Sequence, residues 1–248
     1  MRTKFECVNG GYCTIINKKP YNRNILCEIV FDDIQNHKGI AYYQNLIKGV
    51  IKNPWKPTVY SVGYLGKQYK NDICKTTAYK CWTSMLNRCY NTSNAKYKFY
   101  GAKGVIVCEE WLCFANYEKW FNDNYYEIPN QTMVIDKDIL YKNNKIYSPS
   151  TCIVVPQNIN KLFCKSNTIR GELPIGITYN AKRNVYMAYM YANNKHKYLG
   201  WANNPQDAFV LYKTAKEQHI KEMADKYREY LPQKVYDAMY NYQVDITD

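Results

Sequence analysis

The chain lacks the features that mark several common protein classes. No apolar run approaches the roughly 20 residues that a membrane span needs, and the N-terminus, M-R-T-K-F-E-C, has no signal-peptide core. The ten cysteines include no C-x-x-C pair, and Cys108 with Cys113 alone does not supply the two close pairs of a structural zinc site. These absences argue against a membrane protein, a zinc finger and a secreted disulfide scaffold, and they predict thiols in the reducing cytoplasm.

Acidic residues and histidines are scarce. The 21 Asp and Glu residues are set against 34 Lys and Arg residues, which gives a formal net charge of +13, and there are three histidines. An excess of positive charge favours a polyanionic partner, because each Lys or Arg placed against a phosphate releases a condensed counterion. Nucleic acid is the polyanion that this composition favours, and a charge that merely solubilises the chain is the alternative.

The first half of the sequence predicts folded modules but no catalytic site. Short β-branched runs, separated by Gly10-Gly11 and several prolines, predict a β-rich module over residues 1–70. Two helices are predicted next, and their apolar positions recur three or four residues apart: Trp82, Met85, Leu86 and Cys89 in the first, and Trp111, Phe114, Tyr117 and Phe121 in the second. An aromatic stripe at this spacing indicates a core face more than a base-stacking platform, so these helices are predicted to support the unit that follows.

The stretch 133–163 holds most of the residues on which chemistry can rest. Residues 133–140 and 151–155 predict two strands that pair across a turn-rich loop, and Pro156 opens a short helix. This ββα order presents two acids on the first strand and two asparagines on the helix: Asp136, Asp138, Asn158 and Asn160. A metal ion and a phosphate fit between groups of this kind.

Four motifs lie between residues 79 and 164. They are W-x-x-M-L-x-R-C-Y at 82–90, Y-G-x-K-G-V-x-V-C-x-x-W-x-x-F-x-x-Y at 100–117, D-K-D-I-L at 136–140 and Y-S-P-S-T-C at 147–152. Together they resemble the HNH-type endonuclease-like proteins of bacteriophages, which belong to the His-Me finger nucleases. In that family a ββα unit carries a general-base histidine, a divalent metal and a metal ligand on the helix.

The resemblance implies roles for particular residues of the ββα unit. Asp136 and Asn160 are the implied metal ligands, for Mg or another divalent ion if the site is active, and Asn143 or Asn144 is the implied asparagine that braces the loop. Lys137 stands where the family has its histidine. A lysine with its ordinary pKa of about 10.4 is charged at neutral pH and is a poor general base.

The catalytic candidates that follow from this comparison are Lys137, Asp138 and Asn144. Asp138 is the local alternative as a base or as a second metal ligand, provided that the strand stays regular as far as Asp138. None of the three histidines lies near this unit in sequence: they are His37, His196 and His219. No local substitute for the missing base is therefore evident.

The last third of the chain concentrates the basic charge. Lys or Arg stands at positions 161, 165, 170, 182, 183, 195 and 197, against one acid, Glu172, between 165 and 200. Three strands are predicted at 176–179, 185–191 and 197–200, with turns at 182–184 and 193–194. Asn204 as the N-cap, Pro205 as the first helical residue and Asp207 as the third predict the start of a long helix, and a short helix is predicted over 234–242.

This region carries a second resemblance. The run G-I-T-Y-N-A-K-R-N-V-Y-M-A-Y-M-Y, then K-Y-L-G and P-Q-D-A-F-V-L-Y-K-T-A-K, resembles the sheet-plus-helix DNA-binding domain of plant ethylene-response factors. The resemblance implies a sheet in the major groove of double-stranded DNA, with basic and aromatic residues on bases and phosphates. The candidates are Tyr179, Arg183, Tyr186, Tyr189, Lys195, Lys197, Tyr198 and Trp201. Because side chains alternate, only one face can meet DNA and the rest of this set is predicted to be core, while a solvated basic sheet is the alternative.

The sequence therefore predicts an α+β protein in three parts. These are a β-rich N-terminal module (1–70), an HNH-like ββα unit with buttressing helices (71–165) and a three-stranded sheet plus helix (166–248). We expect a phage-type DNA-binding protein on an HNH-like scaffold, with degenerate nuclease activity because Lys137 replaces the histidine. An active metal-dependent endonuclease and a phage interaction protein that inhibits a host factor are the alternatives. The expected location is the cytoplasm of an infected bacterial host.

Overall fold

The computed structural model describes residues 3–69, 72–164, 172–192 and 195–247. It is a mixed α+β protein with an N-terminal four-stranded antiparallel sheet, central helices and a C-terminal three-stranded sheet packed on a long helix, which confirms the predicted fold class. The chain forms two compact units, the first from 1–125 with 144–150 and the second from 126–143 with 151–248. Within the described ranges, no helix is both long and apolar enough to cross a bilayer.

The N-terminal sheet has its four strands in chain order. They are β1 (Lys4–Glu6), β2 (Tyr12–Tyr21), β3 (Asn24–Phe31) and β4 (Lys38–Tyr42). Tyr21 pairs with Asn24, so the β2–β3 hairpin turns through two residues, and Asn22 takes a positive φ of 55° that asparagine tolerates. Side chains from one face of this sheet form a hydrophobic core together with Leu46 of helix α1 (Tyr43–Ile47). The buried members from the sheet and its flank are Phe5, Cys7, Cys13, Cys27, Ile29, Phe31 and Ala41.

The first central helix is where the periodicity places it. Helix α2 (Thr77–Tyr90) begins at Thr76, whose side chain accepts a hydrogen bond from the Tyr79 N–H, and it ends at Asn91. Its predicted apolar face is buried in full: Trp82, Met85, Leu86 and Cys89. The Trp82 indole Nε1–H donates to the Trp111 carbonyl oxygen at 2.7 Å, which joins this helix to the next.

The aromatic stripe is core, as predicted, but it lies on two helices rather than one. They are α3 (Glu109–Leu112) and α4 (Phe114–Asn124), and Trp111, Phe114, Tyr117 and Phe121 are all buried. Cys113 interrupts them with an extended backbone because it forms a parallel bridge with Tyr64. The Phe114 N–H donates to the Tyr64 carbonyl oxygen and the Tyr64 N–H donates to the Leu112 carbonyl oxygen. A long-range backbone pairing therefore replaces one helical turn.

The first unit also contains a two-stranded parallel sheet that the sequence did not predict. Strand β5 (Ile106–Val107) pairs with β7 (Ile146–Tyr147), and β7 lies in the segment predicted to be a loop. The first unit also contains three short 3₁₀ helices: Ile73–Lys75, Tyr97–Phe99 and Gly101–Lys103.

The second unit begins with the predicted ββα arrangement. Strand β6 (Met133–Asp136) runs antiparallel to β8 (Ile153–Pro156), with Met133 opposite Pro156 and Asp136 opposite Ile153. Helix α5 (Gln157–Phe163) follows directly, with Pro156 as its N-cap rather than its first residue. Strand β6 stops at Asp136, four residues short of its predicted end, so the predicted strand over 133–140 is wrong in its second half, and the condition of a regular strand as far as Asp138 is not met.

The C-terminal sheet has the strand order β11-β10-β9. The strands are β9 (Ile177–Asn180), β10 (Val185–Ala192) and β11 (Lys195–Ala202), and helix α6 (Pro205–Lys226) packs on one face. Asn204 caps α6 by accepting a hydrogen bond from the Asp207 N–H at 2.8 Å, as predicted. Helix α7 (Gln233–Tyr240) follows. The predicted turn at 193–194, the boundary at 165–166, Lys165 and Arg170 lie outside the described residues.

Candidate nucleic-acid interface and ββα site

Asp136 ends strand β6 and organises the turn that follows. Its Oδ1 accepts the backbone N–H of Asp138 at 2.8 Å and that of Ile139 at 2.7 Å. The side chain is buried, and burial raises the pKa of the carboxyl above its ordinary value, against the two N–H bonds, which lower it. One of the two carboxylate oxygens of Asp136 thus satisfies the backbone rather than facing a ligand.

Lys137 and Asp138, two of the catalytic candidates, are bonded to each other. The Lys137 ammonium donates to Oδ1 and Oδ2 of Asp138, both at 2.8 Å, and Lys137 itself is buried at 7% exposure. An ammonium held by a carboxylate has no electron pair to take a proton from water, and the same bond occupies the carboxylate of Asp138. Neither side chain is arranged as a general base.

The predicted asparagines fall into different parts of the protein. Asn144 belongs to the first unit, where its side chain donates to the Ile146 carbonyl oxygen at 2.7 Å and accepts the Ile146 N–H at 3.1 Å. It therefore braces the turn before β7, and its predicted role in a nuclease site stays a prediction. Asn160 belongs to the second unit and lies on α5, whereas Asn158 on the same helix donates to the Tyr227 hydroxyl.

This donor set does not fit a resident divalent metal of the kind that the HNH resemblance implies. Mg²⁺ is usually held in proteins by one or two carboxylates whose oxygens face the ion, with waters and substrate phosphates as its other ligands. At the turn after β6 the two acids are Asp136, with one oxygen committed to two N–H groups, and Asp138, which is paired with Lys137. Among the described residues, no three His, Cys, Asp or Glu side chains come together as a metal site.

Replacing Asp136 by alanine is expected to destabilise the second unit by roughly 1–3 kcal/mol, because the buried N–H of Ile139 and the part-buried N–H of Asp138 lose their acceptor. The matched variant Asp136→Asn keeps an oxygen acceptor and removes a charge that burial disfavours, so its cost is expected to be smaller. Urea denaturation of the two variants measures the difference. An equal loss of unfolding free energy in both would show that the charge of Asp136, and not its acceptor, is what the fold uses.

Two residues that sequence reasoning missed share the electrostatic environment of the acids. Burial raises the pKa of the Cys164 thiol at the end of α5, and the negative charges of Asp136 and Asp138 raise it further. Burial lowers the pKa of Lys216 on α6, and the Cys164 thiol opposes that shift. No local motif marks Cys164 or Lys216, because Cys164 interacts with acids that are distant from it in the sequence and Lys216 interacts with Cys164.

The motifs that carry the HNH resemblance also have structural roles within the first unit. The Arg88 guanidinium lies over the Tyr100 ring at 5.0 Å and over the Tyr147 ring at 5.6 Å, so three separate motifs meet there. Burial opposes the charge of Arg88, but Tyr147 and Tyr100 hold its pKa above the ordinary value. The Tyr90 hydroxyl accepts the Val107 N–H at 3.0 Å.

The C-terminal sheet has one face on α6 and one face turned away from it. The α6 side contributes Ile177, Tyr186, Ala188, Met190, Ala192, Leu199 and Ala202 to the core with that helix. Strand pairing and alternation then define the outward face, which consists of Thr178, Asn180, Val185, Met187, Tyr189, Tyr191, His196, Tyr198 and Trp201. Three of its rings are about half exposed, Tyr191 at 57%, Trp201 at 55% and Tyr198 at 48%.

A β-bulge in β11 places Trp201 on this face. Tyr189 pairs with Tyr198 and Ala188 pairs with Gly200, so Leu199 is an additional residue in β11. In a regular strand Tyr198 and Trp201, three positions apart, would lie on opposite faces. Gly200 has a φ of 144°, a conformation that side chains disfavour, which explains the glycine at the bulge.

Seven of the eight predicted DNA-binding residues divide between the two faces, and Arg183 lies in a turn. The outward face takes Tyr189, Tyr198 and Trp201, and the α6 side takes Tyr179, Tyr186, Lys195 and Lys197. Lys197 lowers the pKa of His219 on α6, after burial and Lys216, in agreement with its place on that side. Arg183 lies in the exposed turn between β9 and β10, where its N–H donates to Asn180.

Sequence reasoning missed six of the nine members of the outward face, and Met187, Tyr191 and His196 are the three of these with a thioether or a ring. Alternation from Tyr189 along β10 identifies Met187 and Tyr191, so that signal was present. His196 required the pairing register, in which it lies opposite Tyr191 with the two rings 5.1 Å apart. Tyr189 and Tyr198 likewise form a ring pair, with centroids 5.4 Å apart.

Charge at the sheet is of one sign. Residues 173–206 contain no Asp or Glu and contain four basic residues, Lys182, Arg183, Lys195 and Lys197, all of them exposed. Lys182 and Arg183 lie in the β9–β10 turn, next to the end of the outward face that holds Trp201 and Met187. Lys195 begins β11 at the opposite end, beside Tyr191 and His196. Positive charge therefore flanks the aromatic face at both ends.

No protein-family model, no curated protein and no solved structure matches this chain. The two resemblances therefore stay predictions that rest on the motifs themselves. What bears on function is the arrangement of side chains just described, at the turn after β6 and on the outward face of the C-terminal sheet.

Proposed function

We propose that this chain is a phage-type DNA-binding protein, built on an HNH-like scaffold, whose ββα unit does not cut DNA. The observation that supports binding is the outward face of the C-terminal sheet, with exposed aromatic rings flanked by Lys and Arg and with no acid within residues 173–206. Basic side chains neutralise backbone phosphates, and aromatic rings contact bases. Duplex DNA is the partner that the resemblance to ethylene-response factors implies.

The contacts of the side chains at the turn after β6 are the reason to expect that this unit does not cut DNA. Hydrolysis of a phosphodiester by an HNH-type unit needs a base that deprotonates water and an open set of metal ligands. Lys137 is tied to Asp138, and Oδ1 of Asp136 holds two backbone N–H groups. These contacts stabilise the turn, and they leave neither a base nor a complete ligand set.

Incubation with plasmid and with short duplexes tests both parts of the proposal. We expect the protein to retard both DNAs at low salt and to leave supercoiled plasmid intact with Mg²⁺, with Mn²⁺ and with a chelator. The control for contaminating nuclease is the Asp136→Asn variant purified in parallel. Metal-dependent nicking by the parent chain that disappears in this variant would show that the site is an active endonuclease.

A second outcome separates DNA binding from a protein partner. If none of plasmid, short duplex and single-stranded DNA is retained at low salt, DNA binding is wrong and the exposed rings favour the third alternative, an interaction protein that inhibits a host factor. Location in the cytoplasm of an infected bacterium is part of the proposal, since DNA and host proteins are both accessible there.

A further inference from the structure

We infer that the outward face of the C-terminal sheet binds unpaired bases by stacking, so that the preferred ligand is single-stranded DNA rather than the major groove of a duplex. This inference rests on the proposed DNA binding and names the form of DNA that the face selects. It departs from the duplex partner implied by the resemblance to ethylene-response factors. The support for it is that the bulge and the strand register bring aromatic rings to this face and few groups that can read base-pair edges.

The face has few groups that read the edges of base pairs. In a major groove, sequence is read chiefly by Arg or Lys on guanine and by Asn or Gln on adenine. Among the nine side chains of the outward face there is no Arg, Lys, Asp, Glu or Gln, and its one amide is that of Asn180. That amide is already engaged, with Met187 Sδ at 3.4 Å and with the Arg183 N–H at 3.2 Å.

The face is instead rich in rings. Tyr189, Tyr191, Tyr198 and Trp201 lie together on two adjacent strands with His196, and three of these rings are about half exposed. A ring stacks on the flat face of a base, and in a duplex that face is covered by the neighbouring base pairs. Only DNA with unpaired bases presents the surface that these rings can cover.

The charge distribution fits a strand that runs along β10 and β11. Lys182 and Arg183 flank one end of the outward face and Lys195 flanks the other, while the central positions are uncharged. A single strand that crosses the face can place phosphates at both basic ends and bases on the rings between them. Stacking platforms for single strands combine these two elements, a basic track and aromatic rings.

Fluorescence anisotropy with labelled oligonucleotides tests the inference. The probes are a 20-nucleotide single strand, its fully paired duplex, and the same duplex with an internal run of unpaired bases, all at one salt concentration. We expect the single strand and the interrupted duplex to bind about tenfold more tightly than the paired duplex. Trp201→Ala and Tyr198→Ala are each expected to weaken single-strand binding about tenfold and duplex binding about twofold or less.

Three controls keep the result interpretable. Trp201→Phe and Tyr198→Phe retain a ring and are expected to stay within about threefold of the parent chain. Tyr21→Ala, in the N-terminal sheet, removes a tyrosine of matched exposure, 49% against 48% for Tyr198, and is expected to change nothing. Circular dichroism of each variant shows whether it folds, and the preference of the parent chain among the three probes carries the test if an Ala variant does not fold.

The outcomes separate this inference from the proposed function. A paired duplex that binds as tightly as the single strand, or Ala variants that weaken both forms equally, would overturn stacking and leave DNA binding intact. Loss of binding to every probe at low salt would instead overturn the proposed function itself. Tighter binding to unpaired bases, lost with the rings and kept with Phe, supports the inference.

Discussion

Charge reversal at the four basic positions beside the C-terminal sheet is expected to weaken DNA binding at least about a hundredfold at low salt. The variant carries Lys182→Glu, Arg183→Glu, Lys195→Glu and Lys197→Glu. Each cation that contacts a phosphate releases a condensed counterion, so their loss also lowers the slope of log K against log salt. With roughly 0.7 to 0.9 per phosphate contact, the slope is expected to fall by about 3. Anisotropy titrations between low and moderate salt measure both quantities.

The matched control reverses the same number of charges in the first unit, at the exposed residues Lys48, Lys52, Lys103 and Lys119. Both variants reduce the net charge from +13 to +5, because four Lys or Arg become four Glu. The first-unit variant is expected to lose several-fold in affinity through the weaker long-range field, and to keep most of the salt slope. Equal losses in the two variants would mean that net charge alone attracts DNA and that the sheet is a solvated basic surface.

Replacing Trp82 by alanine is expected to cost about 4 kcal/mol of unfolding free energy, the largest stability effect of the substitutions considered. The Trp82 side chain is fully buried at 0% exposure, and its ring centroid lies 5.2 Å from that of Phe114 and 5.6 Å from that of Tyr79. Removal of a buried aromatic side chain leaves a cavity that its neighbours fill only in part, which costs about 3–5 kcal/mol. The Trp111 carbonyl oxygen also loses its indole donor.

Urea denaturation followed by circular dichroism checks this prediction. Trp201→Ala removes the same side chain from an exposed position, and it is expected to change the unfolding free energy by less than about 1 kcal/mol. Trp82→Phe keeps much of the apolar volume without the donor, so an intermediate loss is expected. If Trp82→Ala costs no more than Trp201→Ala, the interior around α2 repacks and the burial of Trp82 is not what holds the helices together.

The turn after β6 gives the HNH resemblance a physical interpretation. The resemblance places a metal ligand, a base and a second acid at Asp136, Lys137 and Asp138, and in this chain the same three side chains are bonded locally. A chain that binds DNA through a separate sheet does not need hydrolysis, and Lys137 then contributes an ion pair to the turn. The ββα unit is in this proposal a structural element of the second unit.

Local physics made several elements predictable from the sequence. The apolar face of α2 follows from side chains three and four residues apart, which one side of a helix must bury. The start of α6 follows from the short polar side chain of Asn204, which satisfies a helical N–H, and from Pro205, which has no N–H to satisfy. The acid-free basic region around the C-terminal sheet follows from composition alone, and so does the expectation of a polyanionic partner.

Tertiary structure decided the rest, because those features depend on contacts between residues far apart in the chain. The aromatic helix breaks at Cys113 because Tyr64, far from it in the sequence, pairs with it there. The face that carries Trp201 is decided by one additional residue at Leu199 in β11, which reverses the alternation for every position after it. The sequence by itself determined that this protein has a core of aromatic helices and a basic, ring-rich sheet, and only the folded register determined which rings a ligand can reach.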